Sequence, residues 1–253
     1  MDLGLKGKKA IVTGGTRGIG RAIADLLVAE GCDIAICARN RGPIDEALAA
    51  FEKAGAKAVG GAVDVADLDA QRRWIGEATA ALGGLDIFVA NVSALAQVMD
   101  EEAWRRGLQI DVMATVFGIE AALPLLEKSP AGAIVVVGST AMAEVYGPTR
   151  SYAAVKATLL PYVKGLARNL AAKNIRANVV SPGNVYFTGG VWNVAEQRNP
   201  QYFQSMIARN PTGRMGTPEE VANAVVFLAS PRASFITGTN LIVDGALTQR
   251  VQF

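Results

Sequence analysis

The chain has 253 residues, a formal net charge of +2, and 51% hydrophobic against 19% charged residues. That length suits one α/β unit with a substantial core, and the composition is too apolar for a disordered chain. The charge is too mild and too evenly spread for nucleic-acid binding, and the absence of histidine excludes Ser-His-Asp and Cys-His catalysis and every histidine-ligated metal site.

Cys32 and Cys37 are the only cysteines. They fall at an expected helix end and in a second strand, and read as packed, reduced thiols; their spacing fits no zinc pattern. No metal is expected. No signal peptide precedes the first strand, and no apolar run reaches the length of a bilayer span. A cytoplasmic protein without membrane contact is the expectation.

Ala10-Ile11-Val12 reads as the end of a short buried strand. Thr13-Gly14-Gly15-Thr16-Arg17-Gly18-Ile19-Gly20 follows it, and then Ile19, Ile23, Leu26 and Leu27 recur at helical spacing. The glycines therefore sit at a strand-to-helix turn. Gly14 can take backbone angles closed to other residues, and Gly18 and Gly20 carry no side chain to hold a ligand or the sheet away. A pyrophosphate can lie on the N–H groups at the positive end of the helix dipole.

Asp33 to Ala38 reads as a second strand ending at Arg39, and Pro43 to Ala54 as a helix with Pro43 in its first turn. Ala58 to Val63 is a third strand closed by Asp64-Val65, and Asp67 to Leu82 a helix. Leu85 to Ala90 is a fourth strand ending in Asn91, followed by helix from about Glu101 to Leu126. Ala133 to Val137 is a fifth strand with Gly138-Ser139 at its end. Arg150 to Ala172 is a helix, and Arg176 to Val180 a sixth strand. Pro182 to about Asn210 reads as irregular. Pro218 to Leu228 is a helix capped by Thr217, and Asn240 to Val243 a last strand. No linker or internal repeat divides the chain, so residues 1–253 are expected to form a single domain with a lid loop around 184–210.

Strands alternating with helices predict a Rossmann-type, doubly wound parallel sheet of about seven strands with helices on both faces. Runs such as Ile134-Val135-Val136-Val137 suit a sheet covered on both faces. Ligands in such sheets bind outside the carboxyl ends of the strands. The residues there are Gly14 to Gly20, Arg39, Asp64, Asn91, Ser139 and Pro182-Gly183. An arginine at the end of the second strand suits the phosphate of NADP, where NAD binding uses a carboxylate. Arg39, together with Arg17 in the turn, predicts NADP(H) over NAD(H). Asp64 is expected at the adenine amino group or, alternatively, capping its own loop.

Tyr152 and Lys156 are one helical turn apart, with β-carbons roughly 5–6 Å apart on one face. A free phenol holds its proton too tightly for acid/base work at neutral pH. A nearby ammonium stabilises the phenolate, and a helix start adds positive potential. Tyr152 then serves as general acid and base without histidine. Ser139, at the end of the preceding strand, is placed to hold a carbonyl oxygen beside it. Tyr152, Val155, Leu159, Val163, Leu166 and Leu170 form an apolar stripe that seats this helix on the sheet.

Thr13 to Gly20, Asp64-Val65, Asn91, Ser139, Tyr152, Lys156 and Pro182-Gly183 match the short-chain dehydrogenase/reductase family in order and spacing. So do Gly213-Arg214, Pro218-Glu219-Glu220-Val221-Ala222 and Val243-Asp244-Gly245. The chain resembles that family over nearly its whole length, most strongly the 3-oxoacyl-thioester (acyl-carrier-protein) reductases. The resemblance implies that Tyr152 moves the hydroxyl proton, Lys156 also bonds the nicotinamide ribose, and Ser139 orients the carbonyl. It also implies that Gly14, Thr16, Arg17, Gly18, Ile19, Gly20, Arg39, Asp64, Val65, Asn91, Pro182, Gly183, Val185 and Thr188 place the cofactor.

Four places depart from the family pattern. Asp111 stands where the family usually has Asn supporting a proton-relay water through a helix irregularity; Asp loses the amide donor and can carry charge. It either takes that catalytic place, paired with Lys156, or lies one register off it. Asn91-Val92-Ser93 replaces Asn-Ala-Gly. Thr188 comes one residue later than usual after Pro182-Gly183. Pro161 lies inside the catalytic helix, at a cost on the order of 3 kcal/mol unless a kink is tolerated; the kink is expected more than a turn after Lys156. In many relatives this helix packs against a second subunit, so the resemblance implies a homodimer or homotetramer.

Substrate-facing candidates are Leu95 to Val98, Ala141 to Tyr146 and Val185 to Phe203, with Met142, Val145, Tyr146, Tyr186, Phe187, Trp192, Tyr202 and Phe203. These aromatics either line a pocket for an apolar, medium-sized ketone or alcohol, or pack within the loop. Lys128, Lys164, Arg168 and Lys173 are either a basic face for an acyl carrier protein or solvated helix charges. The apolar tail from Leu241 to Phe253 is a candidate subunit contact. The expected function is an NADP(H)-dependent oxidoreductase interconverting a ketone and a secondary alcohol. The alternatives are a 3-oxoacyl-carrier-protein reductase and a non-catalytic NADP-binding regulator.

Overall fold

The computed structural model describes residues 2–96, 98–145 and 150–251. Tyr146 and Phe253, two of the residues singled out above, lie outside that range. Seven strands are present: β1 (Lys9–Thr13), β2 (Asp33–Ala38), β3 (Ala58–Ala62), β4 (Ile87–Ala90), β5 (Gly132–Val137), β6 (Ile175–Pro182) and β7 (Asn240–Val243). They form one parallel sheet in the order β3-β2-β1-β4-β5-β6-β7. Between them run α1 (Gly18–Ala29), α2 (Arg41–Lys53), α3 (Leu68–Leu82), α4 (Glu101–Gly107), α5 (Ala114–Leu126), α6 (Ser151–Ala157), α7 (Leu159–Leu170), α8 (Val191–Arg198), α9 (Pro200–Ala208) and α10 (Pro218–Ala229).

The sheet is apolar on both faces because both are covered. Every residue of β5 is buried. One face packs under α1, α2 and α10, with Ile23, Leu27, Phe51, Val221 and Val225 inside. The other packs under α3, α5 and α7, with Trp74, Ile75, Ile119, Leu126 and Val163 inside. Strand order reverses between β1 and β4, and the crevice beyond their carboxyl ends is where a doubly wound sheet takes its ligand.

The structure corrects three expectations. Residues 182–210 are not irregular, for α8 and α9 lie there. Gly190 immediately precedes α8; Asn199 accepts from the Tyr202 N–H and caps α9, with Pro200 in the first turn. The helix expected over Arg150 to Ala172 is interrupted at Thr158, only two residues past Lys156. A proline ring clashes with the carbonyl four residues earlier, so Pro161 acts at Ala157 and not at its own position. Thirdly, Glu101–Leu126 is one helical stretch of 26 residues whose most apolar window has mean hydropathy 1.4, with 33% of that window buried. By length and composition it matches a bilayer span, against the sequence expectation. It also carries the buried Asp111 and lies on α3 and the sheet, as a core-covering helix does.

Candidate active site

The glycine turn is braced from β4. The Asn91 amide donates to the Thr13 carbonyl at 3.0 Å and the Gly14 carbonyl at 3.3 Å, and the Asn91 N–H donates to Thr13 Oγ1 at 3.0 Å. Gly14 sits at φ +70°, a region open chiefly to glycine. A β-carbon on Gly20 would collide with the Gly14 carbonyl and the Asn91 amide. Gly20 is thus required by the turn itself as well as by any ligand. α1 starts at Gly18 with no side-chain cap, so its first-turn N–H groups are available to an anion. These features fit the diphosphate of a dinucleotide.

The other cofactor candidates surround this turn. Arg17 precedes α1 and Arg39 follows β2; both are exposed, and neither side chain is hydrogen-bonded or ion-paired among the described residues. Thr16 and Ile19 are half-buried. Asp64 accepts from the Ala66 N–H at 3.0 Å and so caps its loop with one oxygen; Val65 beside it is buried. At the end of β6, Gly183 donates to the Val243 carbonyl at 2.9 Å. Val185 is buried and bridges Gly216, and Thr188 is exposed.

Phe187 is the residue whose place the sequence reading missed. It was grouped with the substrate-facing aromatics, yet its ring lies on Gly18, where an added β-carbon would fall within 2.9 Å of three ring atoms. The signal was the late Thr188, which leaves Phe187 in the threonine's usual place. The other aromatics between residues 186 and 203 pack on one another. Tyr186 lies 5.8 Å from Phe203 at 53°, and Trp192 stacks on Tyr202 at 6.0 Å. Phe203 is buried with Met206 and Met215. Tyr186 also donates to Glu196 at 2.6 Å, and this bond raises the phenol above its ordinary pKa. Met142 is buried and Val145 is 78% exposed. Glu144 accepts from the Gln249 N–H at 3.2 Å, and Leu247 is buried, so much of the C-terminal tail folds back on its own chain.

The catalytic candidates gather at the carboxyl end of β5. Ser139 caps a 3₁₀ turn, Thr140–Met142, accepting from the Ala141 N–H at 3.2 Å. Ser151 Oγ donates to the carbonyls of Ala96 at 3.2 Å and Val98 at 3.0 Å, pinning the start of α6 to the loop after β4. Tyr152 is next in α6, half-buried and without a hydrogen-bond partner among the described residues. Lys156, one turn on, is buried and donates to the Val137 carbonyl at 3.0 Å. Asp111 lies in a π-helical segment, Leu108–Met113, that joins α4 to α5. Its Oδ2 accepts from the Ala94 N–H at 3.0 Å, and its Oδ1 stands 3.2 Å from Lys156 Nζ. Asp111 is therefore in register with the lysine.

A glycine turn at the switch point of a doubly wound sheet, with a Tyr-Lys helix opening at the same end, defines an α/β oxidoreductase of the nicotinamide-binding class. Residues 14–248 match the family model described as enoyl-(acyl carrier protein) reductase, and the chain belongs to the short-chain dehydrogenase/reductase family. It is 40% identical to isoepoxydon dehydrogenase patN of Penicillium expansum, over 100% of this chain and 99% of that one. Among solved structures it resembles a Burkholderia cenocepacia short chain dehydrogenase in complex with NADP, at TM-score 0.86 and 32% identity, covering 96% of this chain and 99% of that one. It also resembles a 7α-hydroxysteroid dehydrogenase complexed with NADH and 7-oxo glycochenodeoxycholic acid, at TM-score 0.91 and 28% identity, covering 99% and 98%. The protein is an oxidoreductase of the ketone/alcohol type and uses a nicotinamide cofactor.

Proposed function

We propose that the enzyme is NADP(H)-dependent and interconverts an apolar, medium-sized ketone with its secondary alcohol, using Tyr152 as general acid and base. The observation that carries this is the bond from Lys156 Nζ to the Val137 carbonyl. It fixes an ammonium, one turn from Tyr152 and two residues before Ser139, at the end of the sheet that holds the glycine turn.

The bound nicotinamide supplies or accepts the hydride. Everything else falls to the chain. The first-turn N–H groups of α1 hold the diphosphate, with Asn91 keeping their turn in shape. Arg17 and Arg39 take the 2′-phosphate, and Asp64 offers its second oxygen to the adenine. Ser139 orients the substrate oxygen. Tyr152 gives its proton to that oxygen in reduction and removes it in oxidation, while Lys156 stabilises the phenolate and bonds the ribose.

The name of the patN relative suggests that this chain takes a ring alcohol of the isoepoxydon kind, and the hydroxysteroid complex supports the wider class of ring alcohols. A carrier-protein thioester is less well supported. Lys128 and Lys173 precede β5 and β6, which puts them at the opposite edge of the sheet from Tyr152; Lys173 is paired with Glu127 at 2.6 Å, and Lys164 bonds the Gly238 carbonyl. We further propose a cytoplasmic homo-oligomer. The fully exposed Phe235 is the kind of residue a subunit contact would cover.

A panel of ketones and alcohols, followed by NADPH absorbance, tests the reading. Tyr152→Phe should lower kcat by about 10²- to 10⁴-fold and leave the NADPH Kd unchanged. Undiminished turnover in that variant would overturn the role of Tyr152. Wild-type NADPH binding without turnover of any alcohol or ketone would favour the regulator.

A further inference from the structure

The arrangement around Asp111 carries more than a place in the site. Its side chain is 1% exposed and that of Lys156 is 3% exposed, with 3.2 Å between Oδ1 and Nζ. Oδ1 nevertheless has no hydrogen-bond partner among the described residues, because the ammonium approaches off the hydrogen-bond direction. The carboxylate is held from elsewhere, by the Ala94 N–H on Oδ2 and by the π-helical backbone. The ammonium is held by the Val137 carbonyl. Two groups, each with its own anchor, thus face each other as charges inside the protein, where Coulomb interactions are far stronger than in water. π-Helical segments are frequent at functional sites.

We propose that Asp111 is the fixed counter-ion of Lys156 and, through it, a positioning residue for Tyr152. It sets how much of the lysine's positive charge the phenol experiences. This rests on the reading of Tyr152 and Lys156 as the acid/base pair. With Asp111 ionised the lysine presents a near-neutral dipole, and only its N–H donors favour the phenolate. Without that charge the whole ammonium acts on the phenol.

The other titratable and charged groups on the elements packed against the pair are partly or fully exposed. They are Glu101, Glu102, Arg105 and Arg106 on α4, Glu120 on α5, Arg150 at the start of α6, Lys164, Arg168 and the half-buried Tyr162 on α7, and Glu144 after the 3₁₀ turn. Arg105 is paired with Glu101 at 2.6 Å. Solvent screens these charges more than it screens the buried pair.

Asp111→Asn separates charge from shape, since an amide oxygen can still accept from Ala94. In the alcohol-oxidising direction the ascending limb of kcat/KM against pH should move to lower pH by about one unit. One unit below the wild-type limb, the variant should therefore be about fivefold more active relative to its own plateau. A purely structural role would leave the limb in place, and an unmoved or upward-shifted limb overturns the proposal. Asp111→Asn leaves Lys156 uncompensated and destabilises the fold; thermal melts of that variant, Lys156→Met and the double variant cover the case in which it does not fold. The proposal expects the double variant to recover stability lost by Asp111→Asn alone, and additive losses or no recovery overturn it. If wild type turns over no substrate, the oxidoreductase reading fails, while the ultraviolet tyrosinate titration of wild type against Tyr152→Phe, with and without Asp111→Asn, still tests the counter-ion.

Discussion

Arg39 follows β2 and is exposed, and β2 closes with no carboxylate at the place where one would bind a ribose and repel a phosphate. A hydrogen bond to a charged partner contributes about 1.5–3 kcal/mol, which is roughly tenfold to 150-fold in affinity. Arg39→Asp removes that bond and adds repulsion. The ratio of kcat/KM with NADPH to kcat/KM with NADH should fall by at least about tenfold. A ratio unchanged by the substitution would show that Arg39 does not read the phosphate. At this scale helical spacing alone puts Tyr152 and Lys156 on one face, whereas Asp111 was picked out by the family pattern with its register open, and the π-helical segment brings it to 3.2 Å from Lys156. The sequence did not locate Phe187, whose ring sits on Gly18 through a contact between segments far apart in the chain.

At the scale of elements, the strands were legible as short apolar runs, continuous where both faces are buried as in β5, and their observed ends lie within about two residues of those expected. The lid was not. α8 and α9 are short and largely exposed, burying only Phe203 and Met206, so no strong apolar period announced them; the Asn199-Pro200 start was their one local mark. Pro161 shows how an element's boundary changes an energy. In an unbroken helix it would cost about 3 kcal/mol. The interruption at Thr158 puts Pro161 in the first turn of α7, where a missing N–H loses no intrahelical bond. Thr158 Oγ1 bonds the Val155 carbonyl at 2.7 Å and helps satisfy the break. Pro161→Ala should therefore change unfolding free energy by less than about 1 kcal/mol in denaturant titrations. A stabilisation near 3 kcal/mol would mean that the helix runs unbroken and strained.

Across the whole molecule, the two helical layers must be held to one sheet for the carboxyl-end site to keep its shape. Arg176 does this at the opposite end. It lies on β6 beside Ala133 of β5, 8% exposed, and donates to the carbonyls of Leu228, Ala229 and Ser230 at the end of α10. Those carbonyls are the orphaned acceptors of a helix C-terminus, where a cation is favoured by the dipole. Burial lowers the pKa of the guanidinium from its ordinary value, yet arginine stays protonated in proteins, so the charge is held by these acceptors. Arg176→Met keeps most of the stem and removes every donor, leaving the Leu228 and Ala229 carbonyls without their arginine partner while the Ser230 carbonyl keeps the Ala233 N–H. Breaking a buried charged contact costs about 3–5 kcal/mol, and for a chain of this size each kcal/mol lowers Tm by about 2–4 °C. The variant should melt about 10 °C lower, while kcat at a temperature well below the transition stays at the wild-type value, because the substitution lies at the amino end of the sheet. A Tm near wild type would show that α10 is held by apolar packing on α1 alone. Lost activity in the folded variant would show instead that the amino end of the sheet and the site are coupled.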